Sequence, residues 1–131
     1  MILLTDVHII QPEEWLAYRD IRLAALKDAP DAFGSIYTES IRYTDAQWQD
    51  RLQDLNPATD QPMTILDDGR FVCLGWSRIE QLDSRVANLY SMWVAPTHRG
   101  HGLGRRLVNS AIDWAKGQGM EQMELDVTLY P

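Results

Sequence analysis

Residues 2–10 (ILLTDVHII), apolar at both ends with Thr5, Asp6 and His8 between, read as a first strand. Pro12 suits the first turn of a helix, and Glu13 and Glu14 suit its positive end. Ala17, Tyr18, Ile21, Ala24 and Ala25 then share one helical face, and Pro30 stops the helix near Ala29. No period runs from Asp31 to Tyr43, which reads as irregular. Thr44-Asp45-Ala46-Gln47 has the form of a capping box, and Trp48, Leu52 and Leu55 follow at i, i+4 and i+7. A second helix is therefore predicted, running to about Asn56-Pro57. Pro62 to Leu66 and Phe71 to Ile79 flank the turn Asp67-Asp68-Gly69-Arg70, the signature of a β-hairpin. A turn over Gln81 to Arg85 leads into an apolar strand, Leu89 to Val94, which Pro96 ends because it has no N–H to donate. Gly100, Gly102 and Gly104 come next, followed at helical spacing by Leu107, Val108, Ala111, Ile112 and Ala115. That helix ends around Gly117-Gln118-Gly119. Met123, Leu125 and Val127 alternate with Glu124 and Asp126 in a last strand.

Strands that follow one another through turns pair antiparallel, whereas a helix between two strands makes them parallel. The pattern thus predicts an α+β domain with a mixed, mostly antiparallel sheet whose last two strands are parallel. A chain of 131 residues, 45% hydrophobic and 24% charged, forms one globular domain. No stretch approaches the roughly 18 apolar residues of a membrane helix, and Met1 to Leu4 is too short for a signal peptide. The single cysteine, Cys73, excludes an internal disulfide framework, falls in a strand pattern and suits a reducing cytoplasm. A net charge of −7 argues against nucleic acid as the partner. The same charge mildly favours a cationic acceptor such as an amine or a basic peptide.

The glycine-rich turn carries the chemistry. The first N–H groups of a helix lack intrahelical partners and form the positive end of its dipole. Glycines there let a phosphate approach the backbone, and Arg99, Arg105 and Arg106 add cations nearby. A P-loop would need GxxxxGK[ST], which is absent. A Rossmann fingerprint would need a glycine where Arg105 stands, although Asp126 lies at about the ribose-binding distance. A turn that merely packs the helix is the remaining alternative. His8, His98 and His101 are too scattered to suggest a metal site; His98 and His101 flank the loop, within reach of a phosphate or facing solvent.

Arg99-Gly100-His101-Gly102-Leu103-Gly104 resembles the R/Q-x-x-G-x-G/A signature of the GCN5-related N-acetyltransferases, and the preceding Val94, Pro96 and Arg99 fit that superfamily's V-x-P-x-x-R. Arg19 to Ser35 also looks like the first-helix region of small bacterial members, so the resemblance covers essentially the whole chain. It implies the acyl-CoA N-acyltransferase fold, with helices on both faces of the sheet and a slot between splayed fourth and fifth strands. It implies acetyl-CoA as cofactor, its pantetheine arm against the backbone of Met92, Trp93 and Val94. Its pyrophosphate would lie on Arg99, Gly100, His101, Gly102, Leu103, Gly104 and Arg105, with the N–H groups of Gly102, Gly104 and Arg105 as donors. A backbone N–H at Trp93 or Val94 would hold the oxyanion of acetyl transfer to a primary amine, on a small molecule or a peptide.

Two departures stand out. Where many relatives carry a carboxylate at the start of the fourth strand, this chain has Asn88, and an amide is no general base at neutral pH. Glu80 and Glu39 are the nearest alternatives, and Tyr37 and Tyr90 are aromatic candidates for an acceptor pocket. The chain also stops at Tyr130-Pro131, short of the helix and hairpin that usually follow the fifth strand. The expectation is a truncated domain, or one whose open sheet edge pairs with a second copy as a homodimer. An acyl-CoA-binding module of the same fold, without transfer activity, is the alternative function.

Overall fold

Side chains that satisfy orphan amides set the first two helices. Gln11 N–H donates to Glu14 Oε1 (2.8 Å) over the short 3₁₀ turn Pro12–Glu14, and α1 (Trp15–Asp28) follows. Gln47 N–H donates to Thr44 Oγ1 (3.2 Å) and Thr44 N–H to Gln47 Oε1 (2.8 Å), the reciprocal box that opens α2 (Asp45–Gln53). The computed structural model describes residues 2–29 and 36–125. Within the stretch expected to be irregular, residues 36–40 are helical.

The sheet contains β1 (Leu4–Ile9), β2 (Asp60–Asp67), β3 (Arg70–Phe71), β4 (Cys73–Arg78), β5 (Val86–Val94) and β6 (Gln122–Leu125). Their order is β1-β2-β4-β5-β6, with β3 paired to β2. Every pairing is antiparallel except β5 with β6, the pair joined by the helix α3 (Leu103–Gly117). The hairpin turn is Asp68-Gly69, at φ 50° and 82°, which matches the twist of the flanking strands. The second hairpin strand, expected to be continuous, breaks at Val72, so the family's fourth and fifth strands are β5 and β6 here. The described β5–β6 register ends at Leu89↔Leu125; the splay expected beyond it, and Val127, lie outside the described residues.

Two cores sandwich the sheet. On one face Tyr18, Ile21 and Ala25 of α1 and Trp48 and Leu52 of α2 bury Leu74 and Trp93. On the other, Leu103, Leu107 and Ala111 of α3 cover Met63, Ile65, Cys73 and Leu89. Cys73 is fully buried there, and burial pushes its thiol up to about 11, so it is an unreactive core residue.

A bulge in β5 determines what each face receives. Leu74 pairs with Trp93 but Trp76 pairs with Tyr90, so Gly75 opposes two residues, Ser91 and Met92. Ser91 absorbs the extra residue at φ 61°, a conformation that a side chain rarely adopts. As a result Leu89 and Met92, three apart, both pack on the α3 side, where simple alternation would oppose them. Arg22 of α1 donates from Nη1 to Ser91 Oγ (3.0 Å), tying helix and bulge.

The turn after β5 is fastened to the far side of the sheet through Asp67. His98 Nε2 and Asp67 Oδ2 lie 2.6 Å apart, Thr97 Oγ1 and His98 Nδ1 2.8 Å apart, and Leu3 N–H donates to Asp67 Oδ1 (2.8 Å). The His98 contact, then the Leu3 amide, hold the Asp67 carboxyl below its usual range. His98 is therefore neither a solvent-facing turn residue nor directed at the glycines.

Two outcomes test these fastenings. Leu107→Ala should lower unfolding free energy in urea by about 2–5 kcal/mol, since a fully buried contact between α3 and the sheet is lost. Asp67→Asn should destabilise the protein at neutral pH. Because the folded state lowers the Asp67 pKa, its stabilisation is complete above the ordinary value of 3.8 and fades as pH falls below that value. The gap between parent and variant should therefore close in acid, and a gap that persists unchanged would contradict the role given to Asp67.

Candidate active site

The glycines are placed by backbone need. After β5 the chain makes a 3₁₀ turn, Pro96–His98, then passes Gly100 (φ 86°) and Gly102 (φ 76°) into α3. Gly102 is the N-cap, and the first helical bond is Arg106 N–H to Gly102 O (3.1 Å). The N–H groups of Leu103, Gly104 and Arg105 precede that bond, and among the described residues none has an acceptor. A Cβ built at Gly100 or Gly102 would meet nothing within 4 Å, and one at Gly104 only Met92 Cε at 3.8 Å, so the glycines are uncrowded on their Cα side. The Leu103 side chain is buried beneath them and anchors the turn.

The three arginines expected around this point do different things. Arg106 donates from Nη2 to Thr5 O of β1 (2.6 Å). Arg99 donates from Nε to Val94 O (3.0 Å) and from Nη2 to Asp28 Oδ2 (2.9 Å). Asp28 Oδ2 also accepts from Trp93 Nε1 (2.9 Å), and these two donors, Trp93 first, hold its carboxyl below the usual range. Arg99 thus staples the end of α1 to the end of β5. Arg105 and His101 are exposed beside the free amides.

Backbone direction separates the strand residues. Ala95 N–H donates to Val72 O (3.0 Å), so alternation along the ladder turns the backbone of Trp93 toward β4 and that of Val94 toward the opposite edge. The indole of Trp93 lies in the core, and Met92 sits on the bulge.

On the α1–α2 face, against the same bulge, lies an open cavity of about 450 Å³. Tyr90 and Ser91 of β5 line it beside Trp76 and Arg78 of β4, and Glu80 stands at its wall. Helix α1 contributes Tyr18 and Arg22, and α2 contributes Arg51. Tyr90 donates its hydroxyl proton to Glu80 Oε1 (2.8 Å), which orients that carboxylate. Asp60 accepts from Trp76 Nε1 (3.0 Å) and lies 3.4 Å from Arg78 Nε. Burial pulls the Arg22 pKa below its ordinary value, and the charge of Arg51 pulls it the same way.

Of the sequence candidates, Glu80 and Tyr90 meet in this cavity. Glu39 is exposed and Tyr37 half-buried in the helical stretch 36–40, and neither lines it. Asn88 pairs with Arg78 on one side and Glu124 on the other and is not among the described residues that line the cavity. The described walls of this cavity come from α1, α2, β2, β4 and β5 and the turns beside them; residues 31–35 lie outside the described residues. Arg22, Arg51, Ser91 and Trp76 went unread. The one signal available was Arg22 at i+4 from Tyr18, a charge within the apolar stripe of α1.

Among the described residues no helix is long and apolar enough to cross a membrane. An uncharacterized N-acetyltransferase of Methanocaldococcus jannaschii is 30% identical over 113 residues, covering 76% of this chain and 49% of that protein. The chain thus spans about half the length of the curated relative it matches. Among solved structures, a Trypanosoma brucei acetyltransferase superposes with a TM-score of 0.71 at 17% identity, over 96% of this chain and 84% of that one. A structure of AAC(6')-Iy bound to the bisubstrate analogue CoA-S-monomethyl-acetylneamine superposes with a TM-score of 0.67 at 17% identity, over 96% and 80%. These likenesses give the fold, an acyl-CoA N-acyltransferase sheet with helices on both faces. The family model described as Acetyltransferase (GNAT) family matches residues 18–130, so the chain belongs to the GNAT acetyltransferases.

Proposed function

We propose that this chain transfers an acetyl group from acetyl-CoA to a primary amine by direct attack, with both substrates bound together. The observation that carries the reading is the N-terminus of α3, where three amides without acceptors among the described residues and two left-handed glycines adjoin the end of β5, whose Val94 backbone turns away from β4. A diphosphate suits that place, because the amides supply donors and, among the described residues, no side chain crowds Gly100 or Gly102. The N–H groups of Leu103, Gly104 and Arg105 would bind it, with the exposed Arg105 and His101 alongside. On the strand, Val94 N–H is the amide left for the cofactor's arm or for the acyl oxygen, since Trp93 faces β4. When bound, acetyl-CoA supplies an activated thioester carbonyl.

The rest falls to the cavity beyond the bulge. Glu80, oriented by Tyr90, takes a proton from the incoming ammonium, directly or through water, and so leaves the nitrogen lone pair free. Tyr18 and Trp76 form apolar walls that restrict the amine to one approach. Positioning of two reactants supplies most of the acceleration in such a site, and Glu80 sharpens its dependence on pH.

Gly104→Asp should abolish binding of coenzyme A in a calorimetric titration while the circular dichroism spectrum is unchanged, since the new carboxylate would stand among the phosphate donors. Normal affinity in that variant would remove the cradle. Glu80→Gln should lower kcat/KM for amines by about 10²- to 10⁴-fold and flatten the acid limb of its pH profile. An unaltered profile would take the base role from Glu80. Binding of acetyl-CoA without thiol release on any amine would reverse the transfer reading in favour of a binding module.

A further inference from the structure

The cavity beside the bulge holds a charge arrangement that acetyl transfer to a simple amine does not use. Arg22, Arg51 and Arg78 line it against two carboxylates, Asp60 and Glu80. Asp60 is committed to Arg78 (3.4 Å) and to the Trp76 indole (3.0 Å), and Glu80 to Tyr90 (2.8 Å). Arg51 forms no ion pair or hydrogen bond among the described residues. It is nonetheless held in place, with its guanidinium carbon 5.2 Å from the ring centres of both Tyr43 and Trp48. Arg22 is likewise placed, by its bond to Ser91 Oγ (3.0 Å).

Two guanidinium groups directed at one partly dehydrated space repel each other, and Arg51 does lower the pKa of Arg22. Aromatic stacking fixes the position of Arg51, and its N–H groups have no acceptor among the described residues. An oxyanion between the two arginines would satisfy those donors and relieve the repulsion. Glu80 lies in the lining of the same cavity and supplies the opposite sign.

We propose that the acceptor carries an oxyanion, a carboxylate or a phosphate, as well as its amine, with the oxyanion bound by Arg51 and Arg22 and the amine directed to Glu80. This inference rests on the acetyltransferase reading of the site and narrows its substrate class. An amino acid or an aminoalkyl phosphate fits, whereas a polyamine would meet the arginines with like charge.

The test is a matched panel at saturating acetyl-CoA, read by thiol release. It comprises glycine, β-alanine and γ-aminobutyrate, the methyl ester of each, phosphoethanolamine beside ethanolamine, and putrescine. Oxyanion-bearing amines should exceed their neutral counterparts at least about tenfold in kcat/KM, the factor that one charge-assisted contact is worth. The carboxylate and phosphate arms tell the two oxyanions apart. Arg51→Met, which keeps an apolar stem on Trp48, should erase the preference by raising KM while kcat stays within about threefold. Arg51→Lys should restore part of it. Retained affinity for coenzyme A shows that each variant is folded, and if neither folds the wild-type panel decides alone. Neutral esters or putrescine used as well as the oxyanion-bearing amines would overturn the proposal, as would a preference that survives Arg51→Met. If no amine at all is acetylated, the transfer reading fails by itself. The oxyanion site is then decided by titrating the same pairs into the coenzyme A complex, where equal or absent binding of acid and ester overturns it and a tenfold preference sustains it.

Discussion

One surplus residue in β5 organises this molecule. Ser91 accepts a left-handed backbone so that two residues can oppose Gly75, and the strand's faces exchange at that point. Before it, Tyr90 looks into the cavity under α1 and α2; after it, Met92 and Val94 lean on α3 while the backbone of Val94 turns away from β4. A straight strand would offer one of these environments at a time. The bulge brings both within a few residues, and the Arg22–Ser91 bond holds it there.

The elements on either side are stapled rather than only packed. Asp28 gathers Trp93 and Arg99, joining the last turn of α1 to the end of β5. Asp67 gathers Leu3 and His98, joining β1 and β2 to the turn that delivers the glycines. Each carboxylate receives two donors, so each is held in its charged form. The amides of Leu103, Gly104 and Arg105 keep no acceptor among the described residues, which is what an anion site requires.

Chain-wide charge and the charge lining the cavity differ. A net charge of −7 suggests an attraction for cations, yet three arginines line the cavity against two carboxylates. Field at a site comes from the few groups facing it through little water, whereas distant surface charges are screened within about 10 Å. The acidic residues of the exposed surface therefore say little about what the cavity selects.

Local patterns decided much of this protein before any folding was considered. The capping box at Thr44, the Asp68-Gly69 turn, the helical stripe from Leu107 to Ala115 and the glycines ahead of it each act over fewer than about ten residues, the range at which hydrogen bonding and periodicity are written into neighbouring positions. Family membership followed from the same loop. The cavity was different: Tyr18, Arg51, Trp76, Glu80 and Ser91 come from four separate parts of the chain, and no spacing relates them. The bulge was equally hidden, because Leu89 to Val94 reads as an ordinary apolar run and only pairing with Gly75 exposes the extra residue. Sequence alone determined most of the strands and helices and the glycine turn ahead of α3. Tertiary structure alone decided which amide of β5 turns away from β4 and which charges share a pocket, because both depend on register and packing between segments distant in the chain.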